Sequence, residues 1–496
     1  MLLVAQPYQR FGYWRLEIHW LLDVECWMFN PMPLPALIEI VPLTAPVHAE
    51  ITVPGSKSIT NRALILAALA EGEVMLRGAL WSEDTQIMVE CLHSLGFEVM
   101  VAADPAEVCN RTITVKGLGG RIPPGGMASA PLELFVGNAG TAARFLAAFL
   151  CLGNGVYRLS GVPRMHERPQ AALFKALREL GYRVDSENGN DKLPARIYGE
   201  GPKPGKCTVS IAASSQFASA LLLSAGVGGW QVAISGENAE ESPYVVMTSK
   251  LIEAFPGKGG DFQVEPDASS GSYFLGANWF LSKFDLIEAI QNGSTALGAK
   301  LSTINVPLWP TGRWQIDSAF IELTKLSYPS GHGPVNLNDL ENFVAFPLVI
   351  SRIKDLGDGI MTQIVLAPLL KSGSSPVIFT DLGRLRVQEC ERVVALKTEL
   401  TKCGARVIEE GDTLKVYPSA LHGAEIETYN DHRMAMCFAI LGLKITGIKI
   451  QNPACVKKTF PNFFQKLASP APHGLGAAIR DGLTGRTLAL DELFAD

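Results

Sequence analysis

The chain has 496 residues, of which 47% are hydrophobic and 19% charged. At about 150 residues per domain this allows two large or three ordinary domains with sizeable cores, and it excludes global disorder. Lysine and arginine number 43 against 49 acidic residues, a net charge of −6, which argues against nucleic-acid binding through overall charge but leaves room for a local basic pocket.

Nine cysteines are scattered with no Cys-x-x-Cys pair, and eight histidines form no His-Glu-x-x-His motif. That reads as a reduced, cytoplasmic protein without a structural zinc site. Residues 1–35 hold Arg10, Arg15, Glu17, Asp23 and Glu25 among aromatics. They lack both an uninterrupted apolar run and the acid-poor character of a transit peptide. They read as a peripheral extension, or as upstream sequence if translation starts at Met28 or Met32.

Val53-Pro54-Gly55-Ser56-Lys57-Ser58-Ile59-Thr60-Asn61-Arg62 leads into the helix formers Ala63–Ala70. It predicts a strand exit, a turn and a helix start that is either an anion site or an ordinary capped helix with solvated basic residues. It is not a Walker A loop, because Ser56 stands where a glycine would precede Lys57. Gly137-Asn138-Ala139-Gly140-Thr141-Ala142-Ala143-Arg144 is a second such strand–helix turn, in which glycine allows either close approach to a ligand or simply a tight bend. Arg164-Met165-His166-Glu167-Arg168-Pro169 follows, with guanidinium forks suited to carboxylate or phosphate.

A helix exit ending in glycine and followed by a Val-containing strand recurs at Ile87–Val99 (Gly96), Ala171–Val184 (Gly181), Val394–Val407 (Gly404) and, more weakly, Ile287–Leu301 (Gly298). This suits a repeated α/β unit with several elements per copy. Cys207–Gly236 is uncharged and longer than a membrane span needs, but its serines and Gly228-Gly229 predict a buried strand, a polar loop with Ser214-Ser215-Gln216, a short helix and a second strand. Residues 327–352 look like an insertion. Basic motifs then gather near turns: Lys354–Thr362, Arg384–Arg392 (with Glu389 and Arg392 on one helix face), Tyr429–Met436 and Lys457–Pro461. In an acidic chain they point to a cationic cleft for a multiply anionic small molecule. After Leu467 the Gly/Pro/Ala-rich composition reads as a tail.

PGSKSITNRALILAALAEG, GNAGTAARF, RMHERP, SSQFASALLL, EPDASSGSYFL, LRVQECER, TYNDHRMAM and KKTFP occur in that order. Together they closely resemble the 5-enolpyruvylshikimate-3-phosphate synthases, enolpyruvyl transferases of the shikimate pathway, over roughly Ile38–Leu467. The resemblance implies an α/β fold of two inside-out α/β barrel domains, each of three repeated α/β units, with the active site in the interdomain cleft. Domain 1 would comprise 36–56 and 267–468 and domain 2 would comprise 57–266, with 1–35 peripheral and 469–496 a tail. It also implies transfer of the enolpyruvyl group of phosphoenolpyruvate to the 5-hydroxyl of shikimate 3-phosphate through a tetrahedral intermediate. Phosphate is released, no metal or organic cofactor is needed, and the protein is a monomer with no nucleic-acid or membrane partner.

By the same resemblance, Lys57, Asp358 and Glu389 are the catalytic candidates, Asp358 as base at the hydroxyl and Glu389 at the methylene carbon. Lys57, Ser58, Arg62, Ser214, Ser215, Gln216, Tyr244, Asp358 and Arg384 are expected on shikimate 3-phosphate. Lys57, Gly140, Thr141, Arg168, Gln216, Arg392, Arg433 and Lys458 are expected on phosphoenolpyruvate. Four positions depart from the family pattern. Gln388 replaces a usual Lys, and Arg384 replaces a small polar residue, which reads as compensation for the lost cation. Glu241 replaces Ser, and Phe145 replaces Pro. Gly140 implies at least partial sensitivity to glyphosate, the family's phosphoenolpyruvate-site inhibitor. The alternatives are a UDP-N-acetylglucosamine enolpyruvyl transferase, less similar because Ser58 follows Lys57, and an inactive ligand-binding homologue.

Overall fold

Helices that are apolar on every side must be covered on every side. In Gly140–Cys151 and in Ile360–Leu366 every residue is buried. Strands such as Trp230–Ser235 lie outside them and expose alternate residues, starting at Gln231. The computed structural model that shows this describes residues 34–236, 242–293, 300–324, 348–370 and 375–495. Nearly all of the expected peripheral extension, most of the expected insertion, Gly298 and Glu241 lie outside the described residues.

Six sheets are present among the described residues, four with four strands and two with two. Every four-stranded sheet has the same plan, one parallel pair followed by two antiparallel pairs. Two stretches of chain match element by element. The first is Leu132–Phe135, helix Gly140–Cys151, Asn154–Ser160, helix Ala171–Glu179, Val184–Ser186 and Ala195–Glu200. The second is Val349–Ser351, helix Ile360–Leu366, Val377–Thr380, helix Arg392–Lys402, Val407–Glu410 and Thr413–Val416. A short helical turn precedes the second helix in both, at Pro163–Glu167 and Gly383–Val387. The repetition expected from glycine exits is therefore a repetition of topology, and Gly96, Gly181 and Gly404 all adopt positive φ.

Buried apolar side chains fall into two clusters. One draws on 34–53 and 273–495, the other on 59–264. Three of the sheets flank each cluster. The chain passes between them twice, and the two passages lie side by side: Gly55 and Pro266 form an antiparallel bridge, Ser56 N–H donates to Glu265 O (2.9 Å) and Asp267 N–H donates to Pro54 O (2.8 Å). Gly55 is required there, because a Cβ would stand 2.0 Å from the Gly78 carbonyl oxygen. Cys207–Gly236 folds as strand, loop, helix Gln216–Gly228 and parallel strand. No described helix is long and apolar enough to cross a membrane.

One expectation is corrected. Residues 469–495 are not a loose tail: Ile479–Asp481 pairs antiparallel with Leu37–Ile40, and Leu475, Ile479, Leu488 and Leu493 are buried in the first core. The sheet formed by Glu425–Ile426, Lys449–Gln451 and Leu37–Ile40 reaches the common four-strand plan only when this C-terminal strand is added.

Candidate active site

The sequence motifs lie at helix starts. Lys57 opens helix Lys57–Leu69, Gly140 opens Gly140–Cys151, Gln216 opens Gln216–Gly228, Asp358 lies just before Ile360–Leu366, and Arg433 is in the first turn of His432–Ala439. Helix starts present free N–H groups and partial positive charge, so each of these helices favours an anion at the same end.

Of the three candidates for proton transfer, Asp358 and Glu389 share Arg392, and Lys57 acts on Glu389 through its charge. Asp358 is buried and touches Arg352 (2.6 Å), Arg433 (3.3 Å) and Arg392 (3.6 Å). Burial alone would raise its pKa, but Arg433, Arg352 and Arg392 outweigh it and hold the carboxyl well below the ordinary range. Glu389 pairs with Arg392 (2.8 Å) and Lys458 (3.1 Å), and its side chain is 25% exposed, as befits a group on a cleft wall. Burial pulls its pKa up, while Arg392, Lys458 and Lys57 pull it further down. Lys57 belongs to the opposite core, so its charge reaches across the cleft to Glu389. Its Nζ is held by Asp84 at 3.1 Å. The cleft is bridged elsewhere as well. Arg384 Nη2 donates to the Ile211 carbonyl, Asn462 Nδ2 to Glu107 (2.7 Å), and Lys466 pairs with Glu107 (2.8 Å).

The cations are ordered by carboxylates behind them. Arg392, 1% exposed, donates from Nε to Asp431 (2.7 Å), and Asp431 also caps Arg433 N–H (2.8 Å). On the other side, Arg168 donates to Asn138 O (3.0 Å) and Arg144 to Gln216 Oε1 (2.9 Å), while Gln216 Nε2 donates to Thr141 (3.2 Å). Gly140 lies against both guanidiniums: a Cβ would come within 2.5 Å of Arg144 Nη1 and 2.6 Å of Arg168 Nη2. Burial, and then Arg168, push Arg144 down to about 9. Two like charges pressed together over a glycine make a seat for an anion.

Ser215 is buried at the start of helix Gln216–Gly228, and Ser214 Oγ accepts from Gln216 N–H (3.2 Å). Tyr244 faces Asp358, whose charge, with burial, raises the phenol pKa. Arg62 is less open to a ligand than the sequence suggests. Arg62 is 2% exposed and donates to Thr248 (2.7 Å), Ser58 O (2.8 Å) and Ser219 (3.0 Å), with its face 5.2 Å from the Phe145 ring. It ties three helices together, and a ligand can use only the N–H groups left over on Nη1 and Nη2. Phe145 thus acts on the pocket through Arg62. Gln388 Oε1 accepts from Arg392 Nη1, whereas Arg384 is lowered in pKa first by burial and then by the charge of Arg352.

Residues that the sequence reading did not assign also enter the site. Asp84 and Asp431 orient cations. Arg144 stood inside a quoted motif without a role. Arg352 closed the stretch read as an insertion, yet Val349–Ser351 is a sheet strand, and the apolar pair Val349-Ile350 was the available signal. His432 is buried and its pKa is driven well below 6.5, first by burial, so the ring is neutral at pH 7.

Comparison with known proteins gives a consistent picture. Residues 42–467 match the family model described as EPSP synthase (3-phosphoshikimate 1-carboxyvinyltransferase). A 3-phosphoshikimate 1-carboxyvinyltransferase of a Nostoc species is 37% identical over 86% of this chain and 98% of the relative. Its counterpart from Opitutus terrae is also 37% identical, over 88% of this chain and 98% of its own. Among solved structures, EPSP synthase from Acinetobacter baumannii superposes with a TM-score of 0.63 at 20% identity, covering 89% of this chain and 99% of its own. The enolpyruvyl transferase NikO from Streptomyces tendae gives 0.60 at 16% identity, covering 92% and 100%. These two likenesses speak for the fold.

Proposed function

The chain belongs to the EPSP synthase family, and we propose from that premise that its cleft transfers the enolpyruvyl group of phosphoenolpyruvate to the 5-hydroxyl of shikimate 3-phosphate. Asp358 takes the hydroxyl proton as the oxygen attacks C2, and Glu389, protonated once bound ligand loosens its ion pairs with Arg392 and Lys458, delivers that proton to the methylene C3. In the second half Glu389 takes back a C3 proton while phosphate leaves with the proton held by Asp358, which restores both carboxyls. Lys57 lies between the two ligands and stabilises charge on both.

The low pKa keeps Asp358 ionised to act as the base, whereas Glu389 must first take up a proton to act as the acid. A weak base becomes a stronger one once ligand phosphate and carboxylate oxygens draw the guanidiniums away from it. Arg168, Arg392, Arg433 and Lys458, with Gly140 and Thr141, form the phosphoenolpyruvate seat. Ser214, Ser215, Gln216, Tyr244 and Arg384, with residual N–H groups of Arg62 and the Ser58 hydroxyl, form the seat for shikimate 3-phosphate. We place the domain crossings at 56/57 and 266/267, between the two cores. We also infer a cytoplasmic monomer. The eight described cysteines are all free thiols, which suits a reducing compartment, and gel filtration tests the monomer.

The observation that carries the reading is that Lys57 from one core and Asp358 and Glu389 from the other share one cleft in which cations outnumber carboxylates. Phosphate release should require both substrates together, and UDP-N-acetylglucosamine should not replace shikimate 3-phosphate. Release with neither acceptor, or equal use of both, would reject it.

A further inference from the structure

Asp358 carries three guanidiniums, and they are not equivalent. Arg392 is also bound to Asp431 and Glu389, so its position is fixed without Asp358. Arg433 is anchored through its backbone N–H on Asp431. Arg352 has Asp358 as its side-chain partner (2.6 Å), and its Nε–H, fully buried, finds no acceptor among the described residues. A buried guanidinium with an unused donor needs an acceptor from elsewhere. Arg384 supplies a second guanidinium close enough for the two charges to oppose each other, and it reaches across to the Ile211 carbonyl of the other lobe. The Tyr244 phenol stands by both. Like charges brought together in a half-dry site lose stability unless an anion comes between them.

We propose that Arg352 is a positioning and specificity residue: with Arg384 it forms a two-guanidinium seat for the phosphate of the acceptor, and through its bond to Asp358 it links the arrival of that phosphate to the base. This rests on the function proposed above. The other cation cluster, Arg144 and Arg168 over Gly140, is on the far lobe and serves the second anion. Arg352 is the group that touches both the phosphate seat and the base, so an acceptor lacking phosphate would leave Asp358 held in its weakest-base state.

The groups facing Asp358 are Arg352, Arg392, Arg433, Tyr244 and Asp317, of which only the arginines lower its pKa. Removing Arg352 takes away one lowering charge. The Asp358 pKa then rises towards the ordinary 3.8, and the acid limb of kcat/KM moves to higher pH.

The test compares Arg352→Gln, Arg352→Lys and Arg384→Ala with the wild type by calorimetry, using shikimate 3-phosphate and unphosphorylated shikimate. Arg352→Gln should weaken shikimate 3-phosphate by about tenfold or more, as loss of a charged hydrogen bond does, and shikimate by less than about threefold. The phosphoenolpyruvate KM should change by less than about threefold, the acid limb should move up, and Arg352→Lys should recover part of the affinity. Equal weakening of both acceptors, or an unmoved ratio between them, would overturn the proposal. If Arg352→Gln does not fold, Arg384→Ala decides, because it must lower the same ratio. Binding needs no turnover, so an inactive wild type that still shows the phosphate-dependent ratio would refute the function proposed above and leave this inference standing.

Discussion

Residues 132–200 and 349–416 share one backbone plan but carry opposite chemistry on it. At the start of the first helix the former has Gly140, which admits two guanidiniums, and the latter has Asp358, which three guanidiniums surround. Before the second helix the former has Arg168, whose guanidinium lies on Gly140, and the latter has Glu389, which pairs with Arg392 at the helix start. The repeat fixes where a functional side chain stands, at the N-terminal ends of buried helices. The residue type then decides whether that place binds or moves protons. One copy is a cation seat whose Arg144 and Arg168 pair with no carboxylate among the described residues, and the other is an ion-paired acid–base wall.

That division is easiest to break by kinetics. Glu389→Gln and Asp358→Asn keep size and lose the proton function, so each should lower kcat by about 10²–10⁴-fold, the usual worth of a positioned acid or base, while leaving the phosphoenolpyruvate KM within about fivefold. Arg168→Ala should do the reverse, raising that KM by about tenfold or more with the smaller effect on kcat. Should Arg168→Ala remove turnover as completely as Glu389→Gln at saturating substrate, the two copies do not divide binding from chemistry.

A smaller change sharpens the same point. Gly140→Ala places a methyl within 2.6 Å of both Arg144 and Arg168, so the guanidiniums must retreat. The wild type should be at least partly inhibited by glyphosate. The variant should lose most of that inhibition and raise its phosphoenolpyruvate KM by about tenfold, with the shikimate 3-phosphate KM nearly unchanged. A rise confined to shikimate 3-phosphate would move Gly140 to the other seat.

Much of this was legible in sequence because the signals are local. Glycine exits mark helix ends, and Ser214-Ser215-Gln216 inside an uncharged run marks a helix start between two parallel strands. Motif order brought the basic residues to one expected cleft. What was not legible is the pairing of charges. Asp84 reads as an ordinary acid in the first turn of helix Glu83–Ser94, and only folding brings it to Lys57. Arg392 and Asp431 are 39 residues apart and meet because their two helices start at the same cleft. The strand Ile479–Asp481 is three residues long between glycine-rich flanks, too short for alternation to show, and its role comes from a partner at the other end of the chain.

The smallest expected effect tests the topological match away from the site. Gly181 and Gly404 end the second helix of the two copies, with φ of +84° and +91°. Alanine at either must adopt a left-handed conformation, costing about 1–2 kcal/mol. Around Gly181 a Cβ meets nothing within 4 Å, so Gly181→Ala should cost that strain and no more. At Gly404 it would stand 3.1 Å from the Ala420 carbonyl and 3.0 Å from His422 Cδ2. The exposed imidazole can swing aside but the backbone carbonyl cannot, so Gly404→Ala should be the more destabilising by about 1 kcal/mol in urea unfolding. Neither lies at the cleft, so kcat should stay at the wild-type value in both. Equal costs would mean that the loop after Val416 yields, and that the second copy is looser than its matching elements imply.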